Sequence, residues 1–195
     1  MNRHHLAGAS GEITESHARL LYGRATDLDG LRARWTALRS DAIAGVAGVT
    51  TAGDWWGMLR HPFAATLPPP DDAFAACFAA APLVLDSPDP QLLLAGSPAP
   101  GAGFIQIMRA RVSDRVGWTA ADEAAIPRYA AARPDFLGTL RVWHGDRLTV
   151  VDSFSSEAEA RAGEQRGATP DDQPVYDAWF AFLSEVEWHD LTAPW

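Results

Sequence analysis

The residues best suited to chemistry in this 195-residue chain are an aspartate and two arginines, Asp152, Arg60 and Arg19, all within predicted strands. A carboxylate in a dry pocket can accept a proton, and a guanidinium can stabilise the anion that proton removal leaves. The sequence contains no P-loop, no Cys-x-x-Cys pair and no Gly-x-Ser-x-Gly turn. We therefore expect acid–base chemistry on a small molecule, with no metal site.

Asp152 belongs to a hairpin predicted over residues 136–154. Residues 139–143 and 148–151 are rich in β-branched, aliphatic and aromatic side chains, and Gly145-Asp146 between them is a turn signal. A helical pattern ends just before this hairpin. Another begins at Ser156, which has the spacing of a capping box with Glu159. The local order is helix, hairpin, helix.

The same order of elements occurs twice along the chain. Each half is predicted as strand, helix, strand, strand, helix, strand, with residues 91–94 as the last strand of the first half. Three pairs of matched positions support a duplication: Arg24 with Arg111, 87 positions apart; Gly48 with Gly138, 90 apart; and Gly53 with Gly145, 92 apart.

Composition narrows the class of protein. A net charge of −9 without a basic stripe disfavours nucleic-acid binding. Cys77 is the single cysteine, so an internal disulfide is excluded and a reducing compartment is expected. No apolar run reaches the roughly 20 residues of a membrane span, and residues 1–12 lack the apolar core of a signal peptide. We expect a soluble cytoplasmic protein.

A β-α-β-β-α-β unit is the ferredoxin-like arrangement, an α+β fold with helices on one face of its sheet. Two units in one chain can cover their open faces by packing sheet against sheet, and a ligand would then fit between the sheets. The predicted organisation is a flexible tail over 1–15, a first repeat over 16–96, a linker over 97–103 and a second repeat over 104–195.

The run RPDFLGTLRVWHGDRLTVVDSFSSEAEARAG, residues 133–163, resembles the antibiotic biosynthesis monooxygenase family of dimeric α/β barrels. The resemblance extends more weakly over 104–191 and reaches 17–95 through the inferred repeat. It implies two ferredoxin-like repeats packed as an intrachain dimeric α/β barrel, and it leaves a further homodimer open. It also implies cofactor-independent oxygenation of an aromatic, polyketide-type compound.

The resemblance implies that Phe154 faces the space between the sheets, and strand alternation then places Asp152 there too. The same alternation and the repeat offsets predict a cavity between the sheets. Its substrate-binding residues would be Trp56, Met58, Gln106, Met108 and Phe154, with Tyr176 and Trp179 on the last helix. Asp152 would be the base, and Arg60 or Arg19 the anion stabiliser. Alternatively, Arg60 and Asp152 form an ion pair across the pseudo-twofold axis, and Tyr176 and Trp179 only pack the core.

Other functions stay open on the sequence. A cyclase or isomerase of the same fold would use the same groups, and a non-catalytic ligand-binding or stress-related protein would have an inter-sheet space filled by its own side chains. A haem-binding member is disfavoured. The positions that match the catalytic residues of the haem-degrading branch hold Met108, Phe154, and Trp179 or Phe180. We expect no cofactor and a small aromatic ligand.

Overall fold

The computed structural model describes residues 16–62, 67, 69–88, 90–94, 99 and 101–195. The predicted tail 1–15 and residues 97, 98 and 100 of the predicted linker lie outside this part of the chain. The predicted domain boundaries remain predictions.

The first half contains four strands and two helices. They are β1 (Ser16–Arg24), α1 (Leu28–Leu38), β2 (Ala44–Val49), β3 (Asp54–Pro62), α2 (Asp72–Ala75) and β4 (Leu83–Ser87). The second half follows the same order with one additional strand and one additional helix. Its elements are β5 (Gln91–Leu94), β6 (Phe104–Val112), α3 (Arg115–Ala132), β7 (Phe136–His144), β8 (Arg147–Phe154), α4 (Glu157–Arg166), α5 (Gln173–Phe180) and β9 (Leu183–Thr192).

The two halves have the same antiparallel strand order, and the predicted α+β ferredoxin-like fold is confirmed. The first sheet runs β2-β3-β1-β4, and the second contains β7-β8-β6-β9 with β5 added beside β7. The hairpin predicted over 136–154 forms β7 and β8. The capping box also forms, because Ser156 accepts a hydrogen bond from the backbone N–H of Glu159 and donates to its carboxylate.

One strand is assigned to the wrong half by the sequence. Residues 91–94 form a strand as predicted, but this strand pairs with β7 of the second sheet. The fourth strand of the first sheet is β4, which pairs with β1. The sequence does not predict β4, because a strand this short has too few residues for its alternation to be distinguished from a loop.

The sheets pack face to face through a continuous apolar layer. Leu20, Val46 and Met58 of the first sheet lie in one buried cluster with Ile107 and Val151 of the second. The cavity left within this layer has a volume of about 10 Å³, which is the space of roughly one water molecule. The predicted ligand cavity between the sheets is therefore wrong.

The predicted barrel is not closed, since strand pairing within the described residues defines two separate sheets. The edges of the sheets are nevertheless linked at one place. Ala47 of β2 exchanges two backbone hydrogen bonds of 2.8 Å with Trp195, beyond the end of β9.

Helices cover the outer face of each sheet, and the two covered layers differ in composition. Under α1 and α2 most buried side chains are apolar and aromatic, among them Trp35, Trp55 and Phe74, but Arg19 is buried on the same side of the first sheet. Under the helices of the second half, buried aromatic residues lie beside charged ones, including Asp122 and Arg141. Polar groups capable of chemistry are thus present in both halves.

Candidate functional site

A row of polar side chains crosses the helix-facing side of the second sheet. Asp190 of β9 lies opposite Gln106 of β6, Gln106 lies opposite Asp152 of β8, and Asp152 lies opposite Thr139 of β7. Residues directly opposite each other on neighbouring antiparallel strands share a face, with Cβ atoms about 4.5–5.5 Å apart. We call these four residues the polar row.

Mainly apolar residues border the polar row on both sides. The next residues along the strands, on the same face, are Thr192, Phe104, Phe154 and Phe136 in one direction and Trp188, Met108, Val150 and Arg141 in the other. A polar row between two mainly apolar rows gives this face both hydrogen-bonding groups and a desolvated surface.

An open cleft of about 420 Å³ lies over one end of the polar row. Its lining residues, which define the cleft throughout, are Gln106, Arg161, Glu164, Trp188 and Asp190. The indole of Trp188 offers a broad apolar surface, because this residue is 48% exposed. The volume is in the range of small-molecule sites, which typically combine an apolar wall with a few polar groups.

The polar side chains of the cleft are bonded to one another. Gln106 Nε2 donates to Glu164 Oε1 at 3.0 Å and to Asp190 Oδ1 at 3.3 Å. Arg161 donates to Glu164 at 3.1 Å and also to Asp190, and its guanidinium lies 5.0 Å from the centre of the Phe104 ring. The hydrogen bonds to Asp190 and Glu164 raise the pKa of Arg161, so it remains a cation.

Asp152 is the carboxyl group of the row with the weakest pairing. Its side chain is 17% exposed, and Arg141 Nη1 is 3.8 Å from its Oδ1. In the described part of the chain, Oδ1 has no hydrogen-bond partner. Burial raises the pKa of Asp152 above its ordinary 3.8, and this outweighs the opposing effects of Arg141 and Thr139. A carboxylate with a raised pKa is a stronger base than an exposed one.

Arg141 is bound mainly to another carboxylate. Its Nη2 and Nε donate to the two oxygens of Asp122 on α3, at 2.8 and 3.1 Å. Trp179 of α5 adds a third hydrogen bond, from its indole N–H to Asp122 Oδ1 at 2.8 Å. The remaining nitrogen of Arg141 donates to the hydroxyl of Thr139.

A second buried ion pair lies near the end of α3. Arg133 donates to both oxygens of Asp135, at 3.0 and 2.7 Å, and to the hydroxyl of Tyr129 at 3.2 Å. Burial raises the pKa of Tyr129, so its hydroxyl stays protonated. Arg133 also donates to the backbone carbonyl of Ala160 on α4 at 3.0 Å, so this group connects the end of α3 to α4, which indicates a structural role.

The predicted residues of the second half are close together, but on the opposite side of the sheet from the one predicted. Gln106, Met108, Asp152 and Phe154 face the helices. The error begins with Phe154, which the resemblance places between the sheets, because strand alternation carries Asp152 to the face that Phe154 occupies. The inferred repeat also misaligns the two halves, since Asp152 is 93 positions beyond Leu59, the residue opposite Arg19, rather than the 92 inferred from the turns. A slip of one residue moves every side chain of a strand to the other face.

The predicted residues of the first half divide between the two faces. Trp56 and Met58 lie between the sheets, as predicted. Arg60 shares their strand face, where burial lowers its pKa. Arg19 points instead towards the helix side and binds Asp86 through Nε and Nη2, at 2.7 and 2.8 Å. The alternative ion pair of Arg60 with Asp152 is wrong, because the two residues face opposite sides of their sheets.

The two aromatic residues predicted on the last helix differ in position. Trp179 packs against Trp118 with ring centres 5.6 Å apart and binds Asp122. Tyr176 packs edge-on against Tyr129 at 6.5 Å. Both contacts agree with the core-packing alternative, and Trp179 has a polar function in addition.

Several residues of the site have no place in the sequence prediction. They are Asp122, Arg141, Arg161, Glu164, Trp188 and Asp190. The available signal is an arginine within an apolar strand, TLRVW at 139–143, since a buried charge requires a buried partner. Arg161 and Glu164 have only the pattern of an exposed helix, which carries no such signal.

No protein-family model and no curated protein matches the sequence. Solved structures match it along almost the whole chain. A candidate monooxygenase from Lactobacillus acidophilus superposes with a TM-score of 0.66 at 11% identity, over 91% of this chain and 93% of that one. A ferredoxin-fold protein from Listeria monocytogenes, related to antibiotic biosynthesis monooxygenases, has a TM-score of 0.55 at 8% identity, over 91% and 96%. The chain has the fold of the antibiotic biosynthesis monooxygenase-like proteins.

An anthrone oxidase-like protein shares the same monooxygenase-like fold. Its TM-score is 0.57 at 11% identity, and the match covers 94% of both chains. At these identities the likeness establishes the fold alone, so an activity has to be argued from the site. The resemblance inferred from residues 133–163 is confirmed at the level of fold.

Two further observations concern the described residues. No group of three or more His, Cys, Asp or Glu side chains there is arranged to hold a metal ion. None of the helices there combines the length and hydropathy of a transmembrane segment.

Proposed function

We propose that the chain is a small-molecule oxidoreductase of the monooxygenase-like kind, with its active site in the cleft and the adjoining polar row. The observation that carries this proposal is Asp152, a largely buried carboxyl group with a raised pKa, whose buried Oδ1 has no hydrogen-bond partner in the described residues. It lies next to Gln106, which lines the cleft. Burial and incomplete pairing of a carboxyl beside a cleft are typical of catalytic groups.

The substrate proposed is a flat, partly polar aromatic compound of polyketide type. Its ring would stack on the exposed indole of Trp188, and its polar edge would face Gln106. Arg161 is the cation of the cleft and would stabilise an enolate oxygen. The names of the structural neighbours, especially the anthrone oxidase-like protein, support this class of compound.

The proposed reaction begins when the Asp152 carboxylate removes a proton from an acidic methylene carbon of the substrate. The electron pair left on carbon is then donated to molecular oxygen, which is the oxidant. For an anthrone-type methylene, the carbon loses two hydrogens and gains one oxygen atom as a carbonyl, and the second oxygen atom leaves as water. The proposal involves no cofactor, because the fused ring itself delocalises the charge.

The experiment is oxygen consumption with an anthrone, together with the appearance of quinone absorbance. Replacing Asp152 by Asn should lower kcat by about 10²–10⁴-fold, the usual contribution of a positioned general base. Asp146→Asn is the matched control, because Asp146 lies in the exposed turn of the same hairpin. Autoxidation without protein gives the background rate. Equal rates for wild type and Asp152→Asn would refute the assignment of the base.

A non-catalytic ligand-binding protein is the second candidate, and two observations favour it. The space between the sheets is filled by the protein's own side chains, as expected of such a protein. The polar side chains of the cleft also satisfy each other by hydrogen bonds, as in a site that only binds. In that case aromatic compounds would bind in calorimetry without oxygen consumption. A haem titration followed in the Soret band tests the remaining alternative, since tight stoichiometric binding would contradict a cofactor-free reaction.

A further inference from the structure

The surroundings of Asp152 contain a cation, Arg141, whose hydrogen bonds go mainly to another carboxylate. Arg141 is nearly fully buried and close enough to pair with Asp152, yet its Nη1 is 3.8 Å from Asp152 Oδ1. Its Nη2 and Nε are 2.8 and 3.1 Å from the oxygens of Asp122. One buried guanidinium thus lies between two buried carboxyl groups and binds only one of them in the two-pronged geometry.

We propose that Asp122 is a positioning residue, which holds Arg141 away from Asp152 and so keeps the Asp152 carboxylate available to accept the substrate proton. This inference rests on the proposed function of Asp152. A two-pronged arginine pair would stabilise the ionised carboxylate of Asp152 and make it a weak base. The carboxylate of Asp122 prevents a pair between Arg141 and Asp152 in two ways. Its oxygens accept the hydrogen bonds of Arg141, and its negative charge offsets the positive charge of Arg141.

Trp179 fixes Asp122 in this position. Its indole N–H donates to Asp122 Oδ1 at 2.8 Å, and its ring packs against Trp118. Asp122 Oδ1 therefore has two donors, from two different elements, and Oδ2 has the Nε of Arg141. This carboxylate has little freedom to turn towards Asp152 or to release Arg141.

The other charged and titratable groups around Asp152 are few. Arg133, at the C-cap of α3, lies near enough to influence it, but binds Asp135 at 2.7 Å. Tyr129 of α3 is also close and stays protonated. On the side of β6, the neighbour of Asp152 is the neutral Gln106, which separates it from Glu164 of α4 and Asp190 of β9. Arg141 is therefore the cation whose partner decides the basicity of Asp152.

The experiment follows the side-chain carboxyl carbon of Asp152 by NMR as the pH is varied, in protein labelled with ¹³C. The signal is assigned by its loss in Asp152→Asn. In Asp122→Asn the charge of Arg141 is no longer offset, and the titration midpoint of Asp152 should fall by about 1–3 pH units. Asp86→Asn is the matched control. It removes an arginine-bound carboxylate from the first half and should leave the Asp152 midpoint unchanged. An unchanged midpoint in Asp122→Asn would overturn the proposal.

A second measurement on the wild-type protein covers the case in which Asp122→Asn does not fold. The Nε–H of Arg141 is bonded to Asp122, so its ¹⁵N signal should remain protected and nearly constant while Asp152 ionises. A signal that moves with the Asp152 titration, or that exchanges with solvent, would show that Arg141 changes partner and would overturn the proposal.

Neither measurement requires a substrate, so the two proposals can fail separately. A lowered midpoint without any oxygen consumption would support the role of Asp122 and refute the proposed reaction. Oxygen consumption that depends on Asp152, together with an Asp152 titration midpoint that is unchanged in Asp122→Asn, would support the proposed reaction and refute the role of Asp122.

Discussion

As the pH rises, the Asp152→Asn variant should become more stable to unfolding than the wild type. Burial raises the pKa of this carboxyl in the folded protein above its ordinary 3.8, so the folded state holds the proton more tightly than the unfolded chain. Its contribution to stability is complete below 3.8 and is lost as the pH rises through the folded pKa. Asn cannot ionise, so the variant is spared this loss.

The magnitude follows from linkage. Between the unfolded and the folded pKa, the unfolded chain releases one proton that the folded protein keeps. In that window the free energy of unfolding of the wild type should fall by about 1.4 kcal/mol per pH unit relative to Asp152→Asn. New hydrogen bonds of the Asn amide add a constant, which leaves this slope unaffected. Incomplete pairing with Arg141, at 3.8 Å, is the reason that ionisation is not compensated.

Urea denaturation at a series of pH values measures the two free energies of unfolding. Asp86→Asn provides a control of opposite sign. The hydrogen bond from Arg19 lowers the pKa of Asp86, so this variant should be the less stable one above 3.8, with the difference closing as the pH falls. A difference between wild type and Asp152→Asn that is independent of pH would show that Asp152 titrates normally. It would remove the main argument for its role as the base.

Two further substitutions test the cleft and the packing of the first half. Trp188→Ala should weaken the binding of a flat aromatic compound about tenfold in calorimetry and leave the free energy of unfolding within about 0.5 kcal/mol. Phe180→Ala, of a residue that is also 48% exposed, should leave binding unchanged, and equal losses in both variants would contradict a site at Trp188. Gly57→Ala should cost about 1–3 kcal/mol in chemical denaturation, because its Cβ would overlap the ring of Trp55. In Gly45→Ala the shortest contact of the new Cβ is 3.0 Å, to the end of the Leu59 side chain, so this variant should cost less; equal costs would refute this account.

The fold could be predicted from the sequence because its signals are local. The turn at Gly145-Asp146 and the capping box at Ser156 each determine an element without reference to the rest of the chain. The order of these elements then gives the ferredoxin-like unit twice. The strand at 83–87 has five residues with no turn signal of the hairpin type, and it was overlooked for that reason.

The site was harder to predict because it depends on register. The sequence predicts Gln106 and Asp152 as members of one site, and they are neighbours in the structure. Their predicted side of the sheet is wrong, because it depends on the face assigned to Phe154, and a resemblance that covers only residues 133–163 does not determine that face. The two hairpin turns also differ in length, with residues 50–53 in the first and Gly145-Asp146 in the second, so an offset measured from the turn glycines does not align the strands beyond them. Arg141 and Asp122 are 19 positions apart, and no local pattern joins a strand residue to its partner on a preceding helix.

The two halves of the chain have counterparts at every position of the polar row, and the residue types differ at three of the four positions. Where the second sheet has Asp190, Gln106, Asp152 and Thr139, the first has Asp86, Arg19, Leu59 and Gly45. In a homodimer of identical units, a substitution that destabilises one copy destabilises both. Within a single duplicated chain the units can diverge. The first half can remain a tightly packed support, while the second tolerates a buried carboxyl, that of Asp152, whose pairing with Arg141 is incomplete.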